Sequence, residues 1–210
     1  MSKQDYIFPG EQFIRMIDFS TDIYLETQSV LLRPVLLSDF ELLKQIAYEP
    51  DIWNFTVTII RNDDELKQYL QTCINSRINK DRYTFTIIRK QTNSLAGCTA
   101  FGNISAQDKR LEIGWTWLGK EYRNTGLNKA MKFLMLQYAF ETLCCERVEF
   151  KTDVKNLQSR KALTKIGAVE EGVLRSHTQM HSNRRRDTIY YSILNNEWNS
   201  LKSKIFSEFI

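Results

Sequence analysis

The chain has 210 residues, of which 42% are hydrophobic and 26% are charged, as in ordinary globular proteins with a full core. Its formal net charge of +4 permits an anionic ligand, but it is too small for the concentrated basic surface of a nucleic-acid-binding protein. No apolar run is long enough to span a membrane, and acidic residues interrupt the beginning of the chain. We therefore expect a cytoplasmic protein that is neither secreted nor inserted in a membrane.

The four cysteines and two histidines show no spacing typical of metal ligands. Two of the cysteines are adjacent, which suits neither a zinc site nor an ordinary disulfide. The sequence therefore predicts reduced, mostly buried thiols and no metal. The cysteines are Cys73, Cys98, Cys144 and Cys145.

Apolar residues recur with helical or alternating periods along the chain, and no stretch resembles a linker or a repeat. The pattern predicts strands at 23–26 and 30–34, helices at 38–48 and from 62 to about 74, strands at 83–89, 95–104 and 111–118, a helix at 127–143, a strand at 147–154, a helix at 156–166, and strands at 168–174 and 186–194. Ser38 or Asp39 could cap the first helix, and Gly167 suits the left-handed end of the last one. The three arginines at 184–186 fit a solvated hairpin turn first, and a ligand or partner contact second.

The most informative segment joins the predicted strand at 111–118 to the long helix that follows. A polar loop between them ends at Gly126, where the missing Cβ lets a ligand approach the backbone. The free N–H groups and partial positive charge of a helix N-terminus suit a phosphate, and Arg123 could add a second contact. Taken alone, the segment could equally be an ordinary strand-to-helix turn. The chain has no Gly-Lys-Ser/Thr sequence, which argues against an ATPase.

Two motifs of this region resemble signatures of the GCN5-related N-acetyltransferase (GNAT) superfamily, and within it the RimJ/RimL-like branch. The pattern Arg/Gln-x-x-Gly-x-Gly/Ala falls on residues 123–128, and the pattern Asn-x-x-Ser/Ala followed by Lys-x-Gly falls on Asn156, Ser159, Lys165 and Gly167. The resemblance covers roughly residues 28–200. Upstream it is carried by the sequences at 30–34 (VLLRP), 51–53 (DIW) and 95–97 (LAG).

The resemblance implies an α/β (mixed α+β) fold with a central, mixed but mostly antiparallel sheet of about seven strands flanked by about four helices. We expect the acetyltransferase domain at 28–205, preceded by an extension at 1–27 that packs on it. The implied reaction moves an acetyl group from acetyl-CoA, used as co-substrate without a metal, to a primary amine by direct attack. The amine acceptor belongs to a protein N-terminus or a small molecule. One alternative is a non-catalytic coenzyme A-binding protein of the same fold. Another is a nucleic-acid or ribosome-associated interaction module, which only the arginines at 184–186 and the basic pI support. The chain is either a monomer or a homodimer.

The family's coenzyme A site maps onto two stretches of backbone and a helix start in this chain. The residues implied are Trp115, Thr116, Trp117, Leu118, Arg123, Asn124, Thr125, Gly126, Leu127, Asn128, Asn156 and Ser159. Asn128 stands where glycine or alanine is usual, and its amide could either crowd the phosphate or donate to it. Asn156 and Ser159 also read locally as a helix cap and its third residue, a role compatible with binding.

Catalysis requires a base for the amine, a stabilised oxyanion and a proton for the departing thiolate. Glu112 is the candidate base, directly or through a water, although a strand carboxylate could equally face solvent. The backbone at 115–118 is implied to polarise the acetyl carbonyl. Many relatives use a tyrosine as the acid where this chain has Leu163, so Ser159 becomes a candidate donor, with water as its rival.

Several residues are expected near the acceptor by position alone. Trp53 and Phe55 could wall its pocket, although aromatic side chains there could equally belong to the core. His177 and His181 could border the pocket near the final hairpin. Asp187 and Tyr191 have the same weak support.

Overall fold

A computed structural model describes residues 17–181 and 183–210. Its centre is one eight-stranded sheet with the strand order β1-β2-β3-β4-β5-β6-β8-β7. The strands are β1 (Leu25–Glu26), β2 (Val30–Pro34), β3 (Arg82–Arg89), β4 (Ser94–Ser105), β5 (Arg110–Leu118), β6 (Arg147–Asp153), β7 (Val169–Gln179) and β8 (Arg185–Leu194). The helices are α1 (Phe40–Ala47), α2 (Asp63–Ile78), α3 (Leu127–Gln137), α4 (Leu157–Lys165) and α5 (Asn195–Ile205).

The sheet is antiparallel except at its middle, where β5 and β6 run parallel. Their ladder holds three residue pairs, which join residues 110–112 to residues 147–149. Beyond these pairs both strands continue, and each pairs only with its other neighbour in the sheet. The sheet is therefore open along the later parts of β5 and β6. We call this opening, between residues 113–118 and 150–153, the fork.

The two faces of the sheet are covered by different helices. Trp117 of β5 donates its indole N–H to Tyr69 of α2 over 3.0 Å. Thr116 bonds instead to Thr99 of β4, whose hydroxyl contacts the sulfur of Met135 in α3. Successive strand residues point to opposite faces, so α2 and α3 lie on opposite sides of β5. We call these sides the α2 face and the α3 face.

Helix α3 is the best-buried helix because apolar side chains surround most of it. Eight of its 11 residues are buried, including Lys132. A short π-helical turn, Tyr138–Thr142, continues it, so the predicted helix at 127–143 is regular only in its first part. Helix α2 begins as predicted, with the side chain of Asn62 accepting the N–H of Glu65.

The predicted fold class is confirmed. Among the described residues the sheet has eight strands, each at a stretch predicted as a strand, which is one more than the resemblance implies. Helix α5 was not predicted and makes five helices rather than about four. Helix α5 was missed because its sequence is mostly Asn, Ser and Lys, although Trp198 anchors it in the core. Strand β7 also runs to Gln179, five residues past the predicted end at 174.

The predicted cap of the first helix was wrong in detail. The Asp39 side chain makes no capping bond to α1. Its carboxylate is buried instead, where it pairs with Arg33 and accepts hydrogen bonds from the Leu36 N–H and the Thr86 hydroxyl. This carboxylate ties β2 and β3 to the start of α1.

The described part of the N-terminal extension packs on the domain. Ile17, Phe19 and Ile23 are buried in the core. The Tyr83 hydroxyl of β3 donates to one carbonyl of this segment and accepts the N–H of Ile23. Residues 1–16 lie outside the described part of the chain, and the domain bounds at 27 and 28 stay a prediction. Across the ranges that are described, no helix has the length and apolarity of a membrane-spanning segment.

Candidate active site

The fork is shaped by an irregularity in β5. Ala100 of β4 pairs with Gly114, but Cys98 pairs with Trp117, so β5 contains one extra residue. Trp115 takes the positive φ of +51° that this bulge requires, and its ring covers Gly102, where a Cβ would lie 2.5 Å from it. Bulges re-aim backbone groups beside active sites. The stretch predicted to polarise a carbonyl, residues 115–118, is thus an irregular backbone at the edge of an open sheet.

Glu112 lies at the base of the fork, on the α2 face. It is only 5% exposed, so the alternative of a solvent-facing carboxylate was wrong. Its Oε2 accepts from the Asn103 amide at 2.6 Å and pairs with the Lys151 ammonium at 2.8 Å. Among the described residues, no donor bonds its Oε1. That oxygen lies beside Gly114, where a Cβ would be 2.9 Å away. Glu112 is therefore anchored through one oxygen and available through the other.

The arginine run at 184–186 is built into the same face, and its prediction as a solvated turn was wrong for two of its members. Arg184 pairs with the buried carboxylate of Asp153 at 2.5 Å. Arg186 is partly buried and donates to the Thr188 hydroxyl, and burial lowers the pKa of its guanidinium. Arg185 is exposed. The final hairpin thus contributes two cations to the polar surface around the fork.

The loop before α3 has the geometry of an anion site. Asn124 and Gly126 take positive φ angles of +60° and +88°, and no side chain caps the helix at Gly126. The N–H groups of Leu127, Asn128 and Lys129 have no protein acceptor within the described ranges, and a Cβ at Gly126 would meet nothing within 4 Å. An open helix N-terminus with free donors fits a diphosphate. The side chain of Asn128 is partly exposed and makes no hydrogen bond to the described residues, so its amide is free to contact a ligand.

Arg123 lies behind this loop and is partly buried. Its Nε donates to the carbonyl of Leu118 at 3.1 Å, which fixes the side chain between β5 and the loop. The two terminal nitrogens of its guanidinium have no bond to described residues, so they can still contact an anion. The hydroxyl of Thr125 donates to the Tyr122 carbonyl and supports the loop from within.

Asn156 and Ser159 begin α4 across the fork from the loop. Asn156 caps the helix, because its side chain accepts the N–H of Ser159 at 3.0 Å. The Ser159 hydroxyl has no partner among the described residues. Leu163, one turn further on, is buried in the core and cannot act as an acid. The structure tests the cap but not the predicted binding or catalytic roles of Asn156 and Ser159.

Three of the six residues expected around the acceptor, Trp53, Phe55 and His181, lie at or contact the segment before α2. Trp53 is 2% exposed, packs on Trp117 and donates to the Ala47 carbonyl, so it belongs to the core. Phe55 is partly exposed. His181 reaches the Trp53 carbonyl at 3.0 Å and thereby brings the final hairpin to the turn before α2.

The other three residues expected around the acceptor lie along the final hairpin. His177 bonds the Thr188 hydroxyl, and Asp187 accepts the N–H of Ser176 at 2.6 Å. Tyr191 is buried and donates to Glu170. Asp187 and Tyr191 thus have structural hydrogen bonds within the hairpin.

The four cysteines are free, as predicted, and three of them are buried. Burial raises the pKa of Cys73, Cys98 and Cys145, that of Cys145 to about 12, which suppresses their reactive thiolate forms. Within the described residues no three His, Cys, Asp or Glu side chains are placed to hold a metal ion.

Sequence reasoning missed Lys132, which lies on the α3 face of the fork. It is 6% exposed, and its Nζ lies 3.4 Å from the Thr116 hydroxyl and 5.2 Å from the centre of the Phe150 ring. Thr116 belongs to β5 and Phe150 to β6, so the ammonium group bridges the two arms of the fork. The available signal was a lysine between Met131 and Phe133 in the otherwise apolar stretch at 130–136.

Comparisons with known proteins agree with this geometry. The model of the acetyltransferase (GNAT) domain family matches residues 29–169. YdaF of Bacillus subtilis (strain 168), provisionally named a ribosomal N-acetyltransferase, is 31% identical over 160 residues, which cover 69% of this chain and 86% of YdaF. The uncharacterized N-acetyltransferase p20 of Bacillus licheniformis is 26% identical over 175 residues, or 83% of this chain and 97% of p20. A crystal structure of a provisionally assigned acetyltransferase from T. thermophilus superposes with a TM-score of 0.81 at 29% identity, covering 89% of this chain and 97% of that one.

The chain therefore belongs to the GNAT acetyltransferase family and is an N-acetyltransferase. The family predicted from the two motifs is confirmed. The likeness to YdaF also confirms its RimJ/RimL-like branch.

Proposed function

We propose that this chain transfers the acetyl group of acetyl-CoA to a primary amine by direct attack. The observation that carries the proposal is the junction of two openings: the uncapped start of α3 and the fork between β5 and β6. One offers free N–H donors, and the other offers a slot through the sheet. Together they suit a ligand with an anionic diphosphate and a narrow, extended arm.

In this proposal the diphosphate lies on the N–H groups of Leu127, Asn128 and Lys129, with Arg123 beside it. The Thr125 and Gly126 backbone approaches it most closely, because Gly126 presents no Cβ. The pantetheine arm enters the fork between β5 and β6, beside the start of α4 at Asn156 and Ser159. The thioester then lies by the bulged backbone at 115–118, whose N–H groups polarise its carbonyl.

Glu112 acts as the base in the proposed reaction. Its Oε1 is unbonded among the described residues, whereas Oε2 is held by Asn103 and Lys151, so the carboxylate is oriented without being fully used. It removes a proton from the amine directly or through one water as the C–N bond forms. No covalent acetyl-enzyme is required, because the buried cysteines have raised pKa values.

The acceptor amine approaches from the α2 face, because Glu112 lies on that face. The ion pairs of Lys151 with Glu112 and of Arg184 with Asp153 give this surface a mixed charge. We propose a protein N-terminus or a small-molecule amine as the acceptor. The name of YdaF, which refers to the ribosome, supports the first of these.

Calorimetric titration of the full chain with acetyl-CoA tests the proposal first. We expect one-to-one binding in the micromolar range, and much weaker binding of S-acetylpantetheine, which lacks the diphosphate. Thiol release would then be followed with a panel of amines and N-terminal peptides. Absence of binding at millimolar acetyl-CoA would refute the proposal.

A second candidate function is coenzyme A binding without catalysis. The observation that favours it is Leu163, a buried apolar side chain at the position where many relatives have a tyrosine acid. Tight binding of acetyl-CoA without thiol release for any amine in the panel would support this candidate. Turnover with a single amine would exclude it.

A further inference from the structure

Lys132 is an ammonium group held inside the protein next to the proposed thioester site. It lies in the second turn of α3, and its side chain points through the α3 face into the fork. Its Nζ contacts both arms, through the Thr116 hydroxyl on β5 and the Phe150 ring on β6. A group that fills the fork at this level would therefore meet Nζ.

The bonding of Lys132 is incomplete. An ammonium group has three N–H donors, and the described residues supply one acceptor, at the long distance of 3.4 Å. No described carboxylate lies within salt-bridge distance of it. By contrast, the neighbouring Lys129 pairs with Glu208, and Lys151 pairs with Glu112. Buried N–H donors left without an acceptor cost stability, so the remaining donors of Lys132 require an explanation such as a bound ligand.

The charged groups around Lys132 are few. Glu112 faces it from β5 across the fork and favours its protonated form. The neighbouring strand β6 presents the Phe150 ring, and on α3 itself the apolar Met135 and Leu136 lie one turn after Lys132. Lys129 lies one turn before it and is paired with Glu208. Burial outweighs Glu112 and lowers the pKa of Lys132 to about 7.

We propose that Lys132 is the catalytic acid that protonates the departing coenzyme A thiolate. The inference rests on the proposed acetyl transfer and fills the role that Leu163 cannot. Lys132 and Glu112 then form an acid–base pair on opposite faces of the sheet, with the thioester in the fork between them.

The proton balance of this step is complete. The amine nitrogen bonds to the acetyl carbon, and the C–S bond breaks with its electron pair on sulfur. A proton moves from Lys132 Nζ to sulfur, while the proton from the amine goes to Glu112 and then to solvent. Solvent returns one proton to Lys132, so an amine and a thioester become an amide and a thiol.

The environment of Lys132 gives it suitable acidity. A thiol has a pKa of about 8.5, so an ordinary lysine, at about 10.4, is the weaker acid and would not readily protonate a thiolate. The buried Lys132 is the stronger acid of the two and remains partly protonated near neutral pH. A general acid is most effective when its pKa is near the working pH.

The test compares Lys132→Met and Lys132→Arg with the unchanged protein and with Lys204→Met, an exposed lysine of α5. We expect Lys132→Met to lower kcat about 100-fold, the lower end of general acid catalysis, with acetyl-CoA affinity changed less than about threefold. Lys132→Arg keeps the charge but cannot release its proton, so it should be equally impaired. Lys204→Met should behave as the unchanged protein.

A second readout does not depend on turnover. NMR titration of lysine Cε signals, with Lys132 assigned from its absence in Lys132→Met, should show one midpoint near the pKa of about 7 against the high midpoints of exposed lysines. In the active protein, kcat should fall above this midpoint, and that alkaline decline should be absent from Lys132→Met.

The outcomes separate this inference from the proposed function. If the unchanged protein turns over an amine and Lys132→Met has the same kcat, or Lys132→Arg restores activity, the acid role is wrong while the proposed function stands. A midpoint of Lys132 near that of exposed lysines would also overturn it. If the unchanged protein shows no turnover with any amine, both proposals fail together.

Discussion

The two faces of the fork balance charge in different ways. On the α2 face, Glu112, Lys151, Asp153 and Arg184 form two ion pairs, and Asn103 adds a hydrogen bond. On the α3 face, Lys132 has one hydroxyl and one aromatic ring as its partners among the described residues. The first face is electrostatically satisfied without a ligand, and the second is not.

This difference indicates that the fork holds the Glu112 carboxylate in place and destabilises the charged form of Lys132. A carboxylate with one oxygen anchored keeps its position and leaves its other oxygen to accept a proton, as a base requires. An ammonium group in an apolar setting loses its proton more readily, as an acid requires. The fork thus places an oriented proton acceptor on one face and, on the other, an ammonium group whose pKa is lowered by burial.

Glu112→Gln should have the largest effect on activity. The amide keeps the size of the carboxylate but cannot accept a proton, so we expect kcat to fall roughly 100- to 1000-fold, as when a general base is removed. It also removes the negative charge that favours protonated Lys132, so the alkaline decline of any residual kcat should shift to lower pH. Steady-state kinetics across pH measure both effects.

Glu149→Gln is the matched control for that change. Glu149 pairs with Glu112 in the parallel ladder and is bound to Arg147 at 3.0 Å, away from the open part of the fork. We expect its kcat to remain within about twofold of the unchanged protein, since Glu149 lies at the closed end of the fork and its amide would keep the size of the carboxylate and an oxygen that accepts from Arg147. Equal losses in both variants would mean that Glu112 acts on the sheet and not on the reaction.

Most of the fold could be predicted because its elements depend on local patterns. The alternation in β3 and the caps of α2 and α4 place those elements within a few residues of their observed bounds. Helix α5 could not be predicted this way. Its buried side is mainly Trp198, which packs on Phe133 and Phe140. These partners lie far earlier in the sequence, so no local pattern reveals the contact.

The site was predictable only where a linear motif carries it. The loop at 123–128 and the cap at Asn156 are contiguous, so their shapes follow from the sequence. The partners of Glu112 come from β4 and β6, and the position of Lys132 depends on where β5 and β6 separate. Such contacts depend on tertiary packing, which neither periodicity nor spacing encodes.

Lys132→Met should change how stability depends on pH. Between pH 7 and pH 9 the unfolded state holds a proton on Lys132 that the folded state, with a pKa of about 7, mostly lacks. The free energy of unfolding of the unchanged protein should therefore rise with pH in this window, by about 2 kcal/mol from this residue. Lys132→Met should lack that rise and be the more stable protein at pH 7.

Urea denaturation at pH 7 and pH 9 measures this effect, and Lys204→Met serves as the control because its lysine is exposed. Other titrating groups change equally in all three proteins and cancel in the comparison. Parallel pH dependences for Lys132→Met and the unchanged protein would show that Lys132 has an ordinary pKa. The contrast between the two faces of the fork would then be lost.

Arg123→Ala acts on the binding of acetyl-CoA and not on the chemical step. The guanidinium adds a charge-assisted contact to a diphosphate already held by helix N–H groups, so we expect acetyl-CoA affinity to fall by about 1–3 kcal/mol. Lys120→Ala is the control, because this exposed lysine of the same loop bonds Glu49 through its backbone N–H alone. Calorimetry should show weaker acetyl-CoA binding for Arg123→Ala alone, with S-acetylpantetheine binding equal in both variants. Unchanged affinity would remove Arg123 from the site and leave the α3 terminus as the anion contact.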